Sequence, residues 1–150
     1  MLEPTIFTWI LIVFGLLTCG PLLYAQLIMV FKPHSEEARK LLIGKGEEWR
    51  DKSHFKSAYA LAIADWILYL PVFIAGITGV ILAQGWGYIL FAAAGAIILY
   101  INIFLWFFEK EYVYPAVGPW AYYTYFWGNF SYWGFAALFY SILRLNGINF

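Results

Sequence analysis

One acid lies inside a membrane-length apolar stretch, and its side chain is the first candidate for chemistry in this chain. Residues 58–83 read AYALAIADWILYLPVFIAGITGVILA, and Asp65 is the only charged residue among them. An ionised Asp near the centre of a spanning helix costs about 2.5–3.5 kcal/mol on insertion scales. We therefore expect Asp65 to face other helices or a wet cavity, or to hold its proton, and we treat it as a site residue.

Pro71 follows Asp65 by six residues and should change the helix beside it. Because proline has no N–H, it cannot donate to the carbonyl of Ile67, which predicts a kink and a free acceptor close to the acid. Tyr69 lies four residues after Asp65, so both side chains share one helical face. That face combines an acid with a phenol.

Three amide side chains lie in the other apolar stretches at comparable depth. At 1.5 Å per residue from the nearer membrane edge, Gln26 lies roughly 8 Å deep, Asn102 roughly 9 Å and Asn129 roughly 15 Å. Asp65 lies roughly 10 Å deep by the same count. We predict a cavity in this half of the bilayer, walled by Trp and Tyr and suited to a hydrophobic ligand with a polar head. Its ligand-binding residues would be Gln26, Tyr69, Asn102, Trp106, Tyr125, Asn129 and Trp133, and its catalytic acids Asp65 and, at the mouth, Glu109.

The amides also have a purely structural interpretation. Interhelical hydrogen bonds between buried polar side chains are worth around 0.6 kcal/mol each in membrane helices. Gln26, Asn102 and Asn129 could serve only as such contacts, with a protonated Asp65 bonded to them. Holding helices together does not require an ionisable group, however, so Asp65 favours a site.

The composition predicts the elements that must position these residues. The chain has 150 residues, of which 63% are hydrophobic, 23% aromatic and only 12% charged. These values are typical of an integral, multi-pass membrane protein with a single domain. Four apolar segments predict an all-α fold, a four-transmembrane-helix bundle with a charged first loop. The spans are expected at about residues 5–31, 58–83, 86–108 and 119–143.

The connection at residues 32–57 is long and charged, with seven of the nine Lys and Arg residues and five acids. Its segment EEARKLLIGKGEEWRDK can form a short amphipathic helix that lies at the membrane interface, broken by Gly and anchored by Trp49. A plain solvated loop is the alternative.

The other two connections are short. Gln84 and Gly85 alone join spans two and three, which predicts an antiparallel hairpin. In EKEYVYPAVG, Pro115, Gly118 and the following Pro119 should end the third helix and begin the fourth. The first and third connections carry eight basic residues against one, Arg144, on the opposite side. The positive-inside rule then places both connections in the cytoplasm and both termini outside.

Several classes of function are disfavoured by what the sequence lacks. Nine basic and nine acidic residues cancel, so no cationic surface indicates a nucleic-acid partner. Cys19 is the only cysteine, which leaves no disulfide and no CxxC redox pair. His34 and His54 both lie outside the apolar spans, so no intramembrane imidazole is available for haem, and no cluster indicates a metal. We expect no cofactor and no metal.

Three segments resemble the EXPERA superfamily, which includes the sigma-two receptor and the emopamil-binding sterol isomerase. The start of span two, HFKSAYALAIADWILYLPVF, is similar to the family's second helix, with an acid ahead of a Leu-Pro. The end of span three, YINIFLWFFE, places a Tyr nine residues before a closing Glu. In span four, PWAYYTYFWGNFSYW resembles the family's aromatic helix. The long first connection and the short second one agree as well.

The resemblance implies a sterol-like or lipophilic amine ligand that enters from the bilayer. Asp65 would then take the place of the family's buried acid. For double-bond isomerisation, Asp65 would supply acid–base proton transfer and Trp133 a π face for the carbocation. Tyr24 and Gln26 stand where the family has an acid or a histidine, so a second proton carrier is missing there. The family's termini also generally face the cytoplasm, opposite to the charge count.

Three functions therefore compete. The first is binding of a membrane lipid or a sterol-like or lipophilic amine molecule around Asp65, with isomerase activity as an extension. The second is a small proton-coupled transporter, in which a homodimer would exchange protons for a cation through its buried carboxylates. The third is a non-catalytic subunit or assembly factor of a larger membrane complex, with aromatic residues of span four as partner contacts. We favour the first, with the third as runner-up.

Overall fold

The computed structural model describes residues 2–43, 48–121 and 128–149, and for residues 109–121 it describes the backbone alone. Within those ranges the regular structure is helical, with no strand, so the expected all-α fold is confirmed. The elements are α1 (Ile6–Phe31), α2 (Glu36–Leu42), α3 (Lys52–Ala64), a π-helical turn (Asp65–Tyr69), α4 (Leu70–Ile81), α5 (Gly85–Ala121) and α6 (Gly128–Leu145).

Three of the described helical segments are long and apolar enough to cross a membrane. They are Ile6–Phe31, the continuous segment Lys52–Ile81, and Gly85–Phe108 within α5. Their bounds match the first three expected spans, apart from an earlier helical start at Lys52. These segments are compatible with an integral membrane protein. A fourth span, and with it a four-helix bundle, remains a prediction.

The predicted break between the third and fourth helices is wrong. Pro115, Gly118 and Pro119 all lie inside α5, which continues for 37 residues to Ala121. A proline removes one backbone hydrogen bond from a helix, and the residues on either side of it can keep theirs. Pro21 inside α1 is accommodated in the same way. The segment 119–121 therefore belongs to α5 rather than to the last helix.

The predicted hairpin of α4 and α5 is confirmed. Only residues 82–84 join the two helices, and Ala83 has a left-handed φ of 57°. The Gln84 N–H donates to the Gly79 carbonyl at 2.9 Å, which closes the end of α4. Glycines then allow the two backbones to approach, because a Cβ atom at Gly76 would lie 2.8 Å from the Phe91 nitrogen.

The chain divides into two compact units, which we name by their main features. The hairpin unit comprises Met1–Thr18 and Val72–Phe150, and the acid unit comprises Cys19–Pro71. In the hairpin unit, α5 packs antiparallel on α6 at Gly95 and Gly134, and this contact surface is the α5–α6 seam. A Cβ atom at Gly95 would lie 2.7 Å from the Gly134 carbonyl oxygen.

The acid unit contains the charged connection, and the first part of the predicted helical segment is present as α2, whereas the predicted Gly break lies outside the described residues. Ser35 caps α2, because its hydroxyl accepts a hydrogen bond from the Ala38 N–H at 3.1 Å. Ala38 is fully buried and packs with Met29 of α1 and Ala62 of α3. Trp49 packs against this same cluster and stacks edge-to-face on Phe55. Its contacts are thus internal, and its role as a membrane anchor remains a prediction.

Candidate functional site

The helix that carries Asp65 changes its hydrogen-bond register at this residue. The Leu70 N–H bonds to the Asp65 carbonyl, five residues back, so Asp65–Tyr69 form a π turn that ends two residues before Pro71. Single π turns inside α-helices are rare and occur frequently at functional sites. The sequence predicted a disturbance from Pro71, and the structure places its start at the acid itself.

Asp65 and Gln26 form a buried pair within the acid unit. Asp65 is 7% exposed and Gln26 is 6% exposed. The Gln26 Nε2 donates a hydrogen bond to the Asp65 Oδ2 at 2.5 Å. The expectation that Asp65 lies within reach of an amide is therefore confirmed. The other atom of this amide, Gln26 Oε1, is buried and has no hydrogen-bond partner. One acceptor at the site is thus unused.

Two further contacts join the same pair of helices. The Trp66 indole N–H donates to the Leu23 carbonyl at 3.2 Å, and the Tyr69 hydroxyl donates to the Cys19 sulfur at 3.1 Å. Together with Gln26–Asp65, these contacts form a polar ladder of three rungs. Along the ladder, the residue numbers decrease on α1 (26, 23, 19) while they increase on the partner helix (65, 66, 69). The two helices therefore run antiparallel.

Cys19 and the indole of Trp66 are members of this ladder that the sequence analysis did not assign to the site. Cys19 lies seven residues before Gln26, which is two helical turns along the same face of α1. That spacing could have identified it once Gln26 was chosen. The indole contact to the Leu23 carbonyl has no comparable signal, because its acceptor is a backbone group that every residue carries.

The Gln26–Asp65 pair can be hydrogen-bonded in either protonation state of the acid. A carboxylate accepts from the amide N–H, as observed, whereas a protonated acid can donate its O–H to the amide oxygen after a half-turn of the amide. Gln26 is the one hydrogen-bond donor that the described residues offer to the Asp65 side chain. The acid can therefore gain or lose a proton, or meet a cation, without losing its partner.

The remaining predicted site residues that the structure describes lie in the hairpin unit. Asn102 is buried, and its Nδ2 donates to the Ile98 carbonyl at 2.7 Å, while its Oδ1 has no partner. Trp106 and Asn129 are half-buried. Asn102 and Asn129 lie on α5 and α6, which pack together.

Trp133 is the most enclosed residue of the predicted site. It is fully buried, and its indole N–H donates to the Leu11 carbonyl at 2.9 Å. Phe73 and Phe91 pack against it edge-to-face, with ring centroids 5.3 and 5.6 Å away. Trp133 thus joins α6 to α1, α4 and α5. Its role as a π face remains a prediction, and a ligand that reached the ring would have to displace one of these neighbours.

Part of the predicted site lies outside what the structure describes. Tyr125 falls in the omitted segment 122–127, and of Glu109 only the backbone is described, within α5. Asp65, Gln26 and Tyr69 belong to the acid unit, whereas the other described site residues belong to the hairpin unit. A single cavity lined by all of them therefore stays a prediction.

Neither a metal-binding group among the described residues nor a similar protein indicates the function. Among the described residues, no group of three or more His, Cys, Asp or Glu side chains is placed to hold a metal ion. Comparison of the chain with protein-family models, curated proteins and solved structures gives no match.

Proposed function

We propose that this protein binds a hydrophobic ligand with a protonated amine head, and that Asp65 is the counter-ion for that head. The observation that carries the proposal is the buried Gln26–Asp65 pair, which sits at a π turn in a membrane-length helix. An ionisable residue inside a membrane segment is a functional-site candidate, because its burial is expensive and a structural contact does not need it.

The chemistry of the pair suits an ammonium group. The ligand's positive charge would compensate an ionised Asp65 inside the low-dielectric protein, where an uncompensated charge is costly. An ammonium carries N–H donors, and Gln26 Oε1 is a buried acceptor without a partner. Gln26 would therefore orient both the carboxylate and the ligand.

Binding is favoured over turnover in this proposal. Double-bond isomerisation needs one group that donates a proton and another that accepts one. Asp65 is a possible carrier, but the neighbours that the structure describes in the ladder are an amide, an indole, and a phenol bonded to a thiol. Isomerase activity would need a second acid, and Glu109 keeps that role only as a prediction. A sterol-like ligand would bond through a neutral hydroxyl.

The proposal is tested by thermal shift of the purified protein with a panel of hydrophobic amines and a panel of sterols. A ligand that binds only the folded state adds about 2.7 kcal/mol at a hundredfold excess over its Kd. Wild-type protein should be stabilised by amines, and Asp65→Asn should lose that stabilisation. Asp51→Asn is the matched control, because it also replaces one Asp by Asn but lies outside the apolar part of the helix.

Two results would redirect the assignment. If Asp65→Asn is stabilised by amines as strongly as wild type, the counter-ion role is wrong. If neither panel stabilises the wild-type protein, the proposal fails, and co-purification in mild detergent should then test the alternative role as a subunit of a larger complex.

A further inference from the structure

Two buried polar atoms without partners lie on the two helices that form the α5–α6 seam. Asn102 of α5 is 2% exposed, and its Oδ1 makes no hydrogen bond to the residues that the structure describes. Ser131 of α6 is half-buried as a residue, but its Oγ is buried and equally without a partner. A buried polar group that lacks a partner has lost its hydrogen bonds to water without replacement, so two such atoms in one seam require an explanation.

The orientation of the Asn102 amide is determined by its own helix. Its Nδ2 donates to the Ile98 carbonyl at 2.7 Å, a contact that an amide oxygen could not make. The Oδ1 atom is therefore on the opposite side of the amide group and can only accept a hydrogen bond. The missing partner of Asn102 must be a donor.

The packing of the seam places Ser131 at the level of Asn102. A Cβ atom at Gly134 would lie 2.7 Å from the Ile98 side chain, which fixes the register of the two helices at that point. Asn102 is one turn beyond Ile98 on α5, and Ser131 is about one turn before Gly134 on α6. Because the helices are antiparallel, both steps lead in the same direction along the seam.

Ser131 differs from the other hydroxyl residues of this unit. The Ser141 hydroxyl donates to the Ala137 carbonyl at 2.7 Å, and the Thr78 hydroxyl donates to the Ile74 carbonyl at 2.8 Å. Both satisfy themselves four residues back on their own helix, as such residues usually do. Among the described residues, the Ser131 hydroxyl has no hydrogen-bond partner, so it is available to a group that lies in the seam.

We propose that the α5–α6 seam binds one neutral O–H group between Asn102 and Ser131. That group would donate to Asn102 Oδ1 and bond to the Ser131 hydroxyl, which both donates and accepts. A buried water molecule and the hydroxyl of a membrane-soluble alcohol share this chemistry, since either can fill a polar gap between packed helices. The site lies entirely within the hairpin unit and does not rest on the function proposed for Asp65.

The test observes the Asn102 side-chain amide by NMR in the full-length protein, labelled with ¹⁵N-asparagine and held in detergent micelles. Magnetisation transfer from water to this amide reports a bound water molecule. Titration with 1-dodecanol, beside dodecyl methyl ether as a probe without an O–H group, reports an alcohol. Ser131→Ala removes the second partner, and Ser141→Ala is the matched control because its hydroxyl is already bonded to its own helix.

We expect either transfer from a bound water or a saturable shift with 1-dodecanol that the ether does not produce. In Ser131→Ala, the water transfer or the affinity for the alcohol should fall about tenfold, while Ser141→Ala should behave as wild type. The first signal assigns water as the source of the O–H group, and the second assigns a lipid alcohol. The proposal is overturned if neither signal occurs, or if the two serine variants behave alike.

Discussion

Among the described residues, the Asp65 side chain receives its hydrogen bond from Gln26 alone, and this gives the first prediction at the scale of residues. Gln26→Leu would leave the buried acid without its donor, because no other described residue bonds to the Asp65 side chain. We expect the variant to lower the free energy of unfolding by about 1–2 kcal/mol, a value between those for a typical membrane hydrogen bond and for an orphaned buried group. Reversible unfolding in mixed micelles measures this.

The double variant Gln26→Leu/Asp65→Leu is the control for that prediction. Replacing both partners by apolar groups of similar shape is often close to neutral, whereas removal of one partner is costly. The double variant should therefore recover most of the lost stability. An unchanged stability of Gln26→Leu alone would show that the pair contributes nothing.

At this scale, the sequence indicated Gln26 as one of three amides at the depth of Asp65, and the structure shows that Gln26 is the one bonded to it. The sequence could not identify the unused Oε1 of Gln26, since the direction of an amide depends on packing. The sequence also could not predict that Trp133 is enclosed, because the residues that surround it are distant in the chain. Gly15, whose added Cβ would lie 2.5 Å from the Trp133 indole nitrogen, is distant in the chain.

The start of α3 carries a prediction at the scale of elements. Asp51 is its N-cap, and hydrogen bonds from the His54 and Ser53 N–H groups lower the pKa of the Asp51 carboxyl. Because the folded pKa lies below the unfolded value of about 3.9, the charged cap stabilises α3 above that pH. This contribution is lost as the pH falls through the folded pKa.

Asp51→Ala should therefore unfold at a lower temperature than wild type at pH 7, with a smaller difference near pH 3. Asp51→Asn is the control, because an asparagine can cap a helix without titrating between these pH values. Thermal unfolding at both pH values measures the effect. A gap between wild type and Asp51→Ala that does not change with pH would contradict the assignment of Asp51 as a charged cap.

The α5–α6 seam gives a second prediction for the elements. In Gly95→Ala, the new Cβ atom would lie 2.7 Å from the Gly134 oxygen and 3.0 Å from the Leu138 nitrogen, both backbone atoms. Such overpacking should cost about 1–3 kcal/mol of unfolding free energy. Gly20→Ala in α1 is the matched control, since no described atom beyond its chain neighbours and the backbone of its own helix lies within 4 Å of its added Cβ.

Gly20→Ala should even stabilise the protein by up to about 1 kcal/mol, because alanine loses less backbone entropy in a helix than glycine does. Unfolding titrations of the two variants beside wild type make the comparison. Equal effects of the two substitutions would mean that the seam is not closely packed at Gly95.

The elements themselves were largely predictable, because long apolar runs permit little other than helices in a membrane. The hairpin followed from a two-residue connection between two such runs. The length of α5 did not follow, because proline and glycine are local signals, and a helix can continue through a proline at the loss of one hydrogen bond. The π turn at Asp65 was foreseen only as a disturbance near Pro71.

Membrane topology is the prediction at the scale of the whole molecule. Two variants with a single thiol are made in a Cys19→Ala background. Glu37→Cys places its thiol before the segment Lys52–Ile81, and Gln84→Cys places its thiol after it. If that segment spans the membrane, an impermeant maleimide should label the two positions from opposite faces. The basic first connection predicts that position 37 reacts from the cytoplasmic face. Labelling of both positions from one face would contradict the span.

The most direct test of the amine site compares two ligands that differ only in charge. Calorimetry should measure the Kd of a hydrophobic tertiary amine and of its uncharged tertiary-carbon isostere for wild type, Asp65→Asn and Asp51→Asn. We predict that Asp65→Asn binds the amine about tenfold more weakly or worse, a loss of at least about 1.4 kcal/mol, while its affinity for the isostere is unchanged. Asp51→Asn should match wild type for both ligands. Unchanged amine affinity in Asp65→Asn, or an equal loss for both ligands, would contradict Asp65 as the counter-ion.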